Sequence, residues 1–336
     1  MIKISFILPC YNVEPYIARC LDSLLMQDLP QDEYEIICVN DCSPDNLRDV
    51  VLDYQKRYPL VRLIEHTVNK TAGGARNTGL DAANGKYIWF VDPDDMVSQG
   101  VMSPIFEKAE SEDLDILYFN FDSDKHLNKK KLTTLPPGSA MDGETFLNSY
   151  FQNNLTGVCT IWRAIYKKDY LDSNSIRFPQ IKSSQDVVFA WKSIFMATRV
   201  SSIQTTGYIY FRRQNSTTGS KGRIKPEAAF SASILYPNEL LNLIKRIVLK
   251  HEWIVHELHR EIKASVNDDS RKVLSMPKES LRVFYALFSR QKAVVDRLST
   301  YMNTNTKRIF NYRNPFFIWA SSIKWLSFKQ RLKKLF

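Results

Sequence analysis

Trp89-Phe90-Val91-Asp92-Pro93-Asp94-Asp95 turns from large apolar side chains to three carboxylates within a few positions. The apolar part, from Lys86 to Val91, has the length and composition of a buried strand, and the carboxylates mark the rim where it emerges. Three like charges on one rim raise one another's pKa. A divalent cation would relieve that conflict. Hard oxygen ligands suit Mg2+ or Mn2+, which keep positions open for phosphate oxygens. A Pro/Asp turn after a strand is the alternative reading.

Outward from this point, short apolar runs alternate with amphipathic ones. Strands are predicted at Lys3–Leu8, Glu35–Asn40, Val61–Glu65, Lys86–Val91 and Ile116–Phe121. Helices are predicted at Tyr16–Met26, Leu47–Arg57, Gly74–Ala83 and Val101–Glu110. That alternation implies an α/β fold, a mostly parallel sheet flanked by helices. Ligands of such sheets bind at the carboxyl ends of the strands, so Pro9–Asn12, Asp41–Asp45 and Asp92–Asp95 should share one rim. Residues 127–138 turn basic and then Pro/Gly-rich, as in an excursion or hairpin. Gly143–Phe151 and Asp186–Ala197 read as helical, Val200–Phe211 as paired short strands, and the chain beyond Pro226 as long helices.

Two further segments bring chemistry to the rim. After the first strand comes Pro9-Cys10-Tyr11-Asn12, and after the second Asn40-Asp41-Cys42-Ser43-Pro44-Asp45. Asp41 is placed to accept the imide N–H of a uracil lying against Pro9–Tyr11, or to cap a helix. Ser43 or Asp45 suits the N-cap of the following helix. The other segment, Gly73-Gly74-Ala75-Arg76-Asn77-Thr78-Gly79, lets backbone N–H groups approach an anion at a helix start. It is neither a triphosphate loop nor a dinucleotide glycine pattern.

In order and spacing these segments resemble the family 2 glycosyltransferases of the GT-A fold. The Pro-x-Tyr-Asn turn matches Pro9–Asn12, and the Val-Asp-Asp-Gly-Ser-Thr-Asp segment matches Val39–Asp45. The Ala-Arg-Asn-x-Gly helix start matches Ala75–Gly79, and the Asp-x-Asp-Asp motif matches Asp92–Asp95. Further on, Ser184–Phe189 is similar to the family's Glu-Asp-x-x-Phe, and Tyr208–Ser216 to the strand and loop after it. Asn40, Cys42 and Gln185 depart from the family's residues at their positions.

The resemblance implies an inverting transfer of a sugar from a nucleotide-sugar of the UDP-sugar class to a glycan or lipid-linked acceptor. It assigns the donor to Pro9, Tyr11, Asn12, Asp41, Arg76, Asp92, Arg212 and Arg213, and Mn2+ or Mg2+ to Asp92 and Asp94. Asp186 would be the catalytic base, although a first-turn acid at a helix start is its other reading. The implied division is a GT-A-like domain at 1–222, with a nucleotide-sugar-binding half at 1–122 and an acceptor half at 123–222. A helical C-terminal region follows at 223–336. A nucleotidyltransferase on a related sheet lacks its Gly-rich triphosphate loop here. A silent sugar-nucleotide-binding protein would have lost the carboxylates that this chain keeps.

Composition bounds the rest. The five cysteines show no metal-ligand spacing and read as reduced thiols of a cytoplasmic protein. The opening apolar run ends at Pro9, too early for a secretory signal, and no apolar run is long enough to span a bilayer. Net charge is +10, and no acidic residue follows Asp296. In the tail Phe316, Phe317, Trp319, Trp325 and Phe328 interleave with Lys324, Lys329, Arg331, Lys333 and Lys334. Such a stretch suits the headgroup region of an anionic membrane, on its inner face, or a helix packed onto the domain. It carries no recognised nucleic-acid motif.

Overall fold

Near-continuous apolar runs fill strands that are covered on both faces. Here β1 (Ile4–Cys10) and β2 (Tyr34–Asn40) are buried along their whole length. The computed structural model describes residues 1–123, 138–152, 159–211, 226–246, 252–273 and 290–302, with positions 283 and 287. The chain divides into two compact units, residues 1–180 with 186–220, and residues 181–185 with 221–336.

The first unit is built on one eight-stranded sheet, ordered β3-β2-β1-β4-β7-β6-β8-β5. Its remaining strands are β3 (Val61–Glu65), β4 (Tyr87–Phe90), β5 (Met96–Val97), β6 (Ile116–Ser123), β7 (Ala164–Lys167) and β8 (Val200–Tyr210). β1 pairs in parallel with β2 and β4, β2 with β3, and β6 with β8. β7 runs antiparallel to β4 and β6, as does β5 to β8. The expected α/β class with a mostly parallel sheet is what the chain forms.

Four helices link these strands: α1 (Glu14–Leu25), α2 (Leu47–Arg57), α3 (Thr71–Ala82) and α4 (Met102–Ser111). Three more follow: α5 (Gly143–Gln152), α6 (Lys168–Ser173) and α7 (Gln185–Met196). α3 begins three residues before the expected start at Gly74. Val200–Tyr210 is one strand rather than two short ones. It pairs with β6 and, near its end, with β5, and its middle alternates in burial as successive side chains point to opposite faces. β7 and α6 were not legible, because four-residue and six-residue elements show too little periodicity. Most of the basic stretch at 127–138 lies outside the described residues.

Close approach sets how α3 lies on the sheet. A Cβ on Gly79 would stand 2.4 Å from Cγ2 of buried Ile7, so only glycine lets the helix reach β1. β1 extends through Pro9, two residues beyond the pairing of Ile7 with Phe90. Successive main-chain groups alternate sides, so the missing N–H of Pro9 faces the β4 side where the ladder has ended.

Beyond residue 225 the second unit is mainly helical where described. α8 (Pro226–Phe230), a π-helical turn at Ser231–Leu235 and α9 (Tyr236–Arg246) run on continuously. α10 (Glu252–Val273) and α11 (Lys292–Leu298) follow. Leu240, Leu258, Ile262, Val266 and Leu298 are buried. Among the described residues no helix is long and apolar enough to cross a membrane. The tail from residue 303 onward lies outside the described residues.

Candidate active site

The rim begins with two loops that brace each other. Asn12 and Cys42 adopt positive φ values of 54° and 57°, a left-handed geometry that turns the chain sharply after β1 and β2. The Asn12 N–H donates to Ser43 Oγ at 2.7 Å, and Ser43 N–H to Asn40 Oδ1 at 3.0 Å. Asn40 therefore supports the loop through its amide. Asp45 Oδ2 accepts the N–H of Glu14, the first residue of α1, at 2.8 Å, while Glu14 Oε2 accepts the N–H of Asn46 at 2.9 Å. Asn46 rather than Ser43 or Asp45 occupies the N-cap position of α2, without a side-chain cap of its own. Asp45 still serves that helix start, its Oδ1 accepting the Leu47 N–H at 3.5 Å, while its Oδ2 satisfies an orphan donor of α1. Tyr11 stands 49% exposed beside this brace.

Asp41 lies deeper. Its Oδ1 accepts from Lys70 N–H at 2.8 Å and faces His66 Nδ1 at 2.7 Å. The His66 and Asp41 side chains are only 4% and 2% exposed. Lys70 is the N-cap residue of α3, so Asp41 reaches from β2 to the entrance of that helix. Asn69 Nδ2 also donates to the Asp41 carbonyl, at 3.0 Å.

Phe90, the last residue of β4, organises the opposite side. It meets Phe178 and Phe189 edge-on, and those two rings stack at 4.1 Å. Removing one such ring from a core costs about 3–5 kcal/mol. Phe178 is tied to α3 by a reciprocal pair, Asn77 Nδ2 to its carbonyl and its N–H to Asn77 Oδ1, both 2.9 Å. Asp186 lies one helical turn before Phe189, and Asp92 two residues after Phe90. The cluster therefore brings both carboxylates towards Arg76 on α3.

The Arg76 guanidinium, 8% exposed, donates from Nη2 to Asp92 Oδ1 at 2.7 Å and lies 5.5 Å from the Phe178 ring. Burial raises the Asp186 carboxyl, Arg76 pulls it back down, and Asp92 raises it further. The three groups feel one another's charge.

The Asp92–Asp95 turn is held from beneath. Asp95 N–H donates to the Asp92 carbonyl at 3.0 Å, and Arg19 Nη2 to the Asp94 carbonyl at 2.8 Å. Arg19 also covers the Phe211 ring at 3.8 Å. Asp95 is buried and directed away from the rim, accepting Tyr208 O–H at 2.8 Å and Phe211 N–H at 2.7 Å. Its carboxyl is pushed up to about 8, first by burial and then by Asp92 and Asp94. Among the described residues no three metal-binding side chains converge on one point. Asp92, with its side chain 32% exposed, and half-buried Asp94 bring two carboxylates to this turn. That pair fits a magnesium-like or manganese-like ion that takes its other ligands from phosphate and water.

Of the expected site residues, Pro9, Tyr11, Asn12, Asp41, Arg76, Asp92, Asp94 and Asp186 are described, whereas Arg212 and Arg213 fall outside the described residues. His66, Arg19 and Tyr208 were not foreseen. His66 directly follows β3, and the rule that drew attention to the carboxyl ends of β1, β2 and β4 would have found it.

A parallel half-sheet with carboxylates and a guanidinium at its carboxyl rim places this chain among the α/β proteins whose ligand sites lie at the strand ends. The model of glycosyl transferase family 2 matches residues 5–175, and the chain belongs to that family. It is 34% identical over 225 residues to the Bacillus subtilis glycosyltransferase EpsJ, covering 64% of this chain and 62% of that one. It is 30% identical over 309 residues to a poly(ribitol-phosphate) beta-glucosyltransferase of Bacillus spizizenii, covering 89% of this chain and 42% of that one. The chain spans about half the length of the curated relatives it matches. Its fold is that of Staphylococcus aureus TarS 1–349, solved with UDP-GlcNAc, with a TM-score of 0.60 at 21% identity and 93% coverage of both chains.

Proposed function

We propose that this chain transfers a hexose or N-acetylhexosamine from a UDP-sugar to a hydroxyl of a glycan or lipid-linked acceptor, with inversion at the anomeric carbon. The observation that carries this reading is the Arg76–Asp92 ion pair, whose two charges both act on the partly buried Asp186 carboxyl. Donor-side and acceptor-side groups then flank one reacting centre. The UDP-GlcNAc complex of TarS and the poly(ribitol-phosphate) transferases among the relatives support a UDP-sugar donor and a cell-surface polymer acceptor.

Asp41 accepts the imide N–H of uracil, with the ring against Pro9 and Tyr11. Asp92 and Asp94 would hold Mg2+ or Mn2+, which would supply positive charge to the diphosphate leaving group. Arg76 keeps Asp92 oriented and supplies positive charge beside the sugar. Arg212 and Arg213 are further diphosphate contacts by family resemblance. Asp186 takes the proton of the acceptor hydroxyl as the glycosidic bond forms and UDP leaves, a contribution of about 10²–10⁴-fold. The basic, aromatic tail is proposed to bring the enzyme to an anionic membrane on its cytoplasmic face.

A screen of nucleotide-sugars with manganese tests the reading, following thermal stabilisation and hydrolysis. One UDP-sugar should be preferred. Equal indifference to all uridine, guanosine and cytidine sugars would overturn it.

A further inference from the structure

We propose that His66 is a positioning residue that sets the base selectivity of this site by locking Asp41 in the orientation that accepts from uracil. The inference rests on the uracil reading of Asp41 and assigns a second residue to it.

The geometry is a buried relay across three elements. His66, just past β3, faces Asp41 Oδ1 with Nδ1 at 2.7 Å and Thr78 Oγ1 of α3 with Nε2 at 2.9 Å. A carboxylate only accepts, so the pairing places a ring proton on Nδ1, while Nε2 pairs with the Thr78 hydroxyl, which can donate or accept. The His66 main chain is also anchored, its N–H donating to the Asn40 carbonyl at 2.9 Å. The imidazole is therefore held at backbone, Nδ1 and Nε2.

Oδ1 of Asp41 receives both the imidazole and the Lys70 N–H. Among the described residues, no hydrogen bond falls on Oδ2. Two donors from different directions stop rotation of the carboxylate and leave one oxygen for a ligand. Uracil offers a donor at N3, whereas cytosine offers a lone pair there, which a fixed carboxylate oxygen repels. A carboxylate free to turn would lose both the attraction and the repulsion. UDP and CDP would then be held through their common diphosphate and ribose.

The test is calorimetry of UDP and of CDP in manganese on the full chain and on His66→Phe, His66→Asn, Thr78→Val and Asp41→Ala. His66→Phe should weaken UDP about tenfold and leave CDP as tight as in wild type or tighter, so the UDP-to-CDP preference collapses. His66→Asn, whose amide nitrogen replaces Nδ1, should restore most of the preference. Thr78→Val should shift it in the same direction as His66→Phe but less. A folded His66→Phe or Thr78→Val with the wild-type preference overturns the inference. Thr78→Val carries the test alone if His66→Phe does not fold. If Asp41→Ala leaves UDP affinity intact, the uracil reading itself fails. If Asp41→Ala abolishes the preference and both relay variants keep it, only the role of His66 fails.

Discussion

Arg76 Nη2 lies 2.7 Å from Asp92 Oδ1, joining the first helical turns of α3 to the end of β4 across sixteen residues of sequence. The ion pair is partly buried, and removing one member would leave the other's charge without its partner. It also reaches Asp186, whose carboxyl Arg76 lowers against the larger effect of burial.

Asp186→Asn should leave UDP affinity near wild type while sugar transfer falls about 10²-fold or more. In the wild type, the acid limb of kcat/KM should lie above the ordinary carboxyl range, because burial disfavours the ionised base. Arg76→Gln removes the charge that lowers Asp186, so that limb should move to higher pH. A limb unmoved by Arg76→Gln, or full transfer by Asp186→Asn, counts against Asp186 as the base.

Donor binding should depend on a divalent cation. Calorimetry with UDP should show affinity in manganese that chelator removes, and Asp94→Ala should abolish most of the difference. Equal UDP affinity in chelator and in manganese would reject this role for Asp92 and Asp94.

Asp95 predicts a pH dependence of stability in chelator. With its carboxyl pushed up to about 8, the folded chain keeps a proton that the unfolded chain loses near an ordinary carboxyl pKa of about 4. The associated stability is present below the unfolded value and is lost as pH rises to the folded one. Unfolding free energy should therefore decline between about pH 4 and pH 8 more steeply in wild type than in Asp95→Asn. Denaturant titrations at several pH values would reveal the difference in slope. Parallel curves would dismiss it.

Gly79→Ala should destabilise the first unit by about 1–3 kcal/mol, since the new methyl overlaps Ile7 against a packed strand. Because α3 carries Arg76, the variant should also weaken UDP binding. Unchanged unfolding and binding would mean that the helix shifts without cost.

Vesicle co-sedimentation addresses the tail. The full chain should bind anionic lipid in a salt-sensitive way, and a truncation ending near Arg313 should not, each basic residue contributing on the order of 1 kcal/mol. Binding that is indifferent to truncation and lipid charge would return the segment to an ordinary helix-packing role.

The strands of the parallel half-sheet and the carboxylates at their ends were legible along the chain, because each is a local property. An apolar run followed by Asp41 or Asp92 carries its own signature, and the order of such runs suffices for the α/β class. The partners of those carboxylates were not legible. Besides serving α2, Asp45 reaches α1, Asp95 turns inward to Tyr208, and Asp41 meets His66, all through contacts between segments far apart in sequence. Such pairings follow from strand register and from how closely a helix can approach the sheet, as Gly79 allows α3 to do. Residue order can therefore place a carboxylate on a rim, but packing decides whether it faces a ligand, a neighbouring helix or the core.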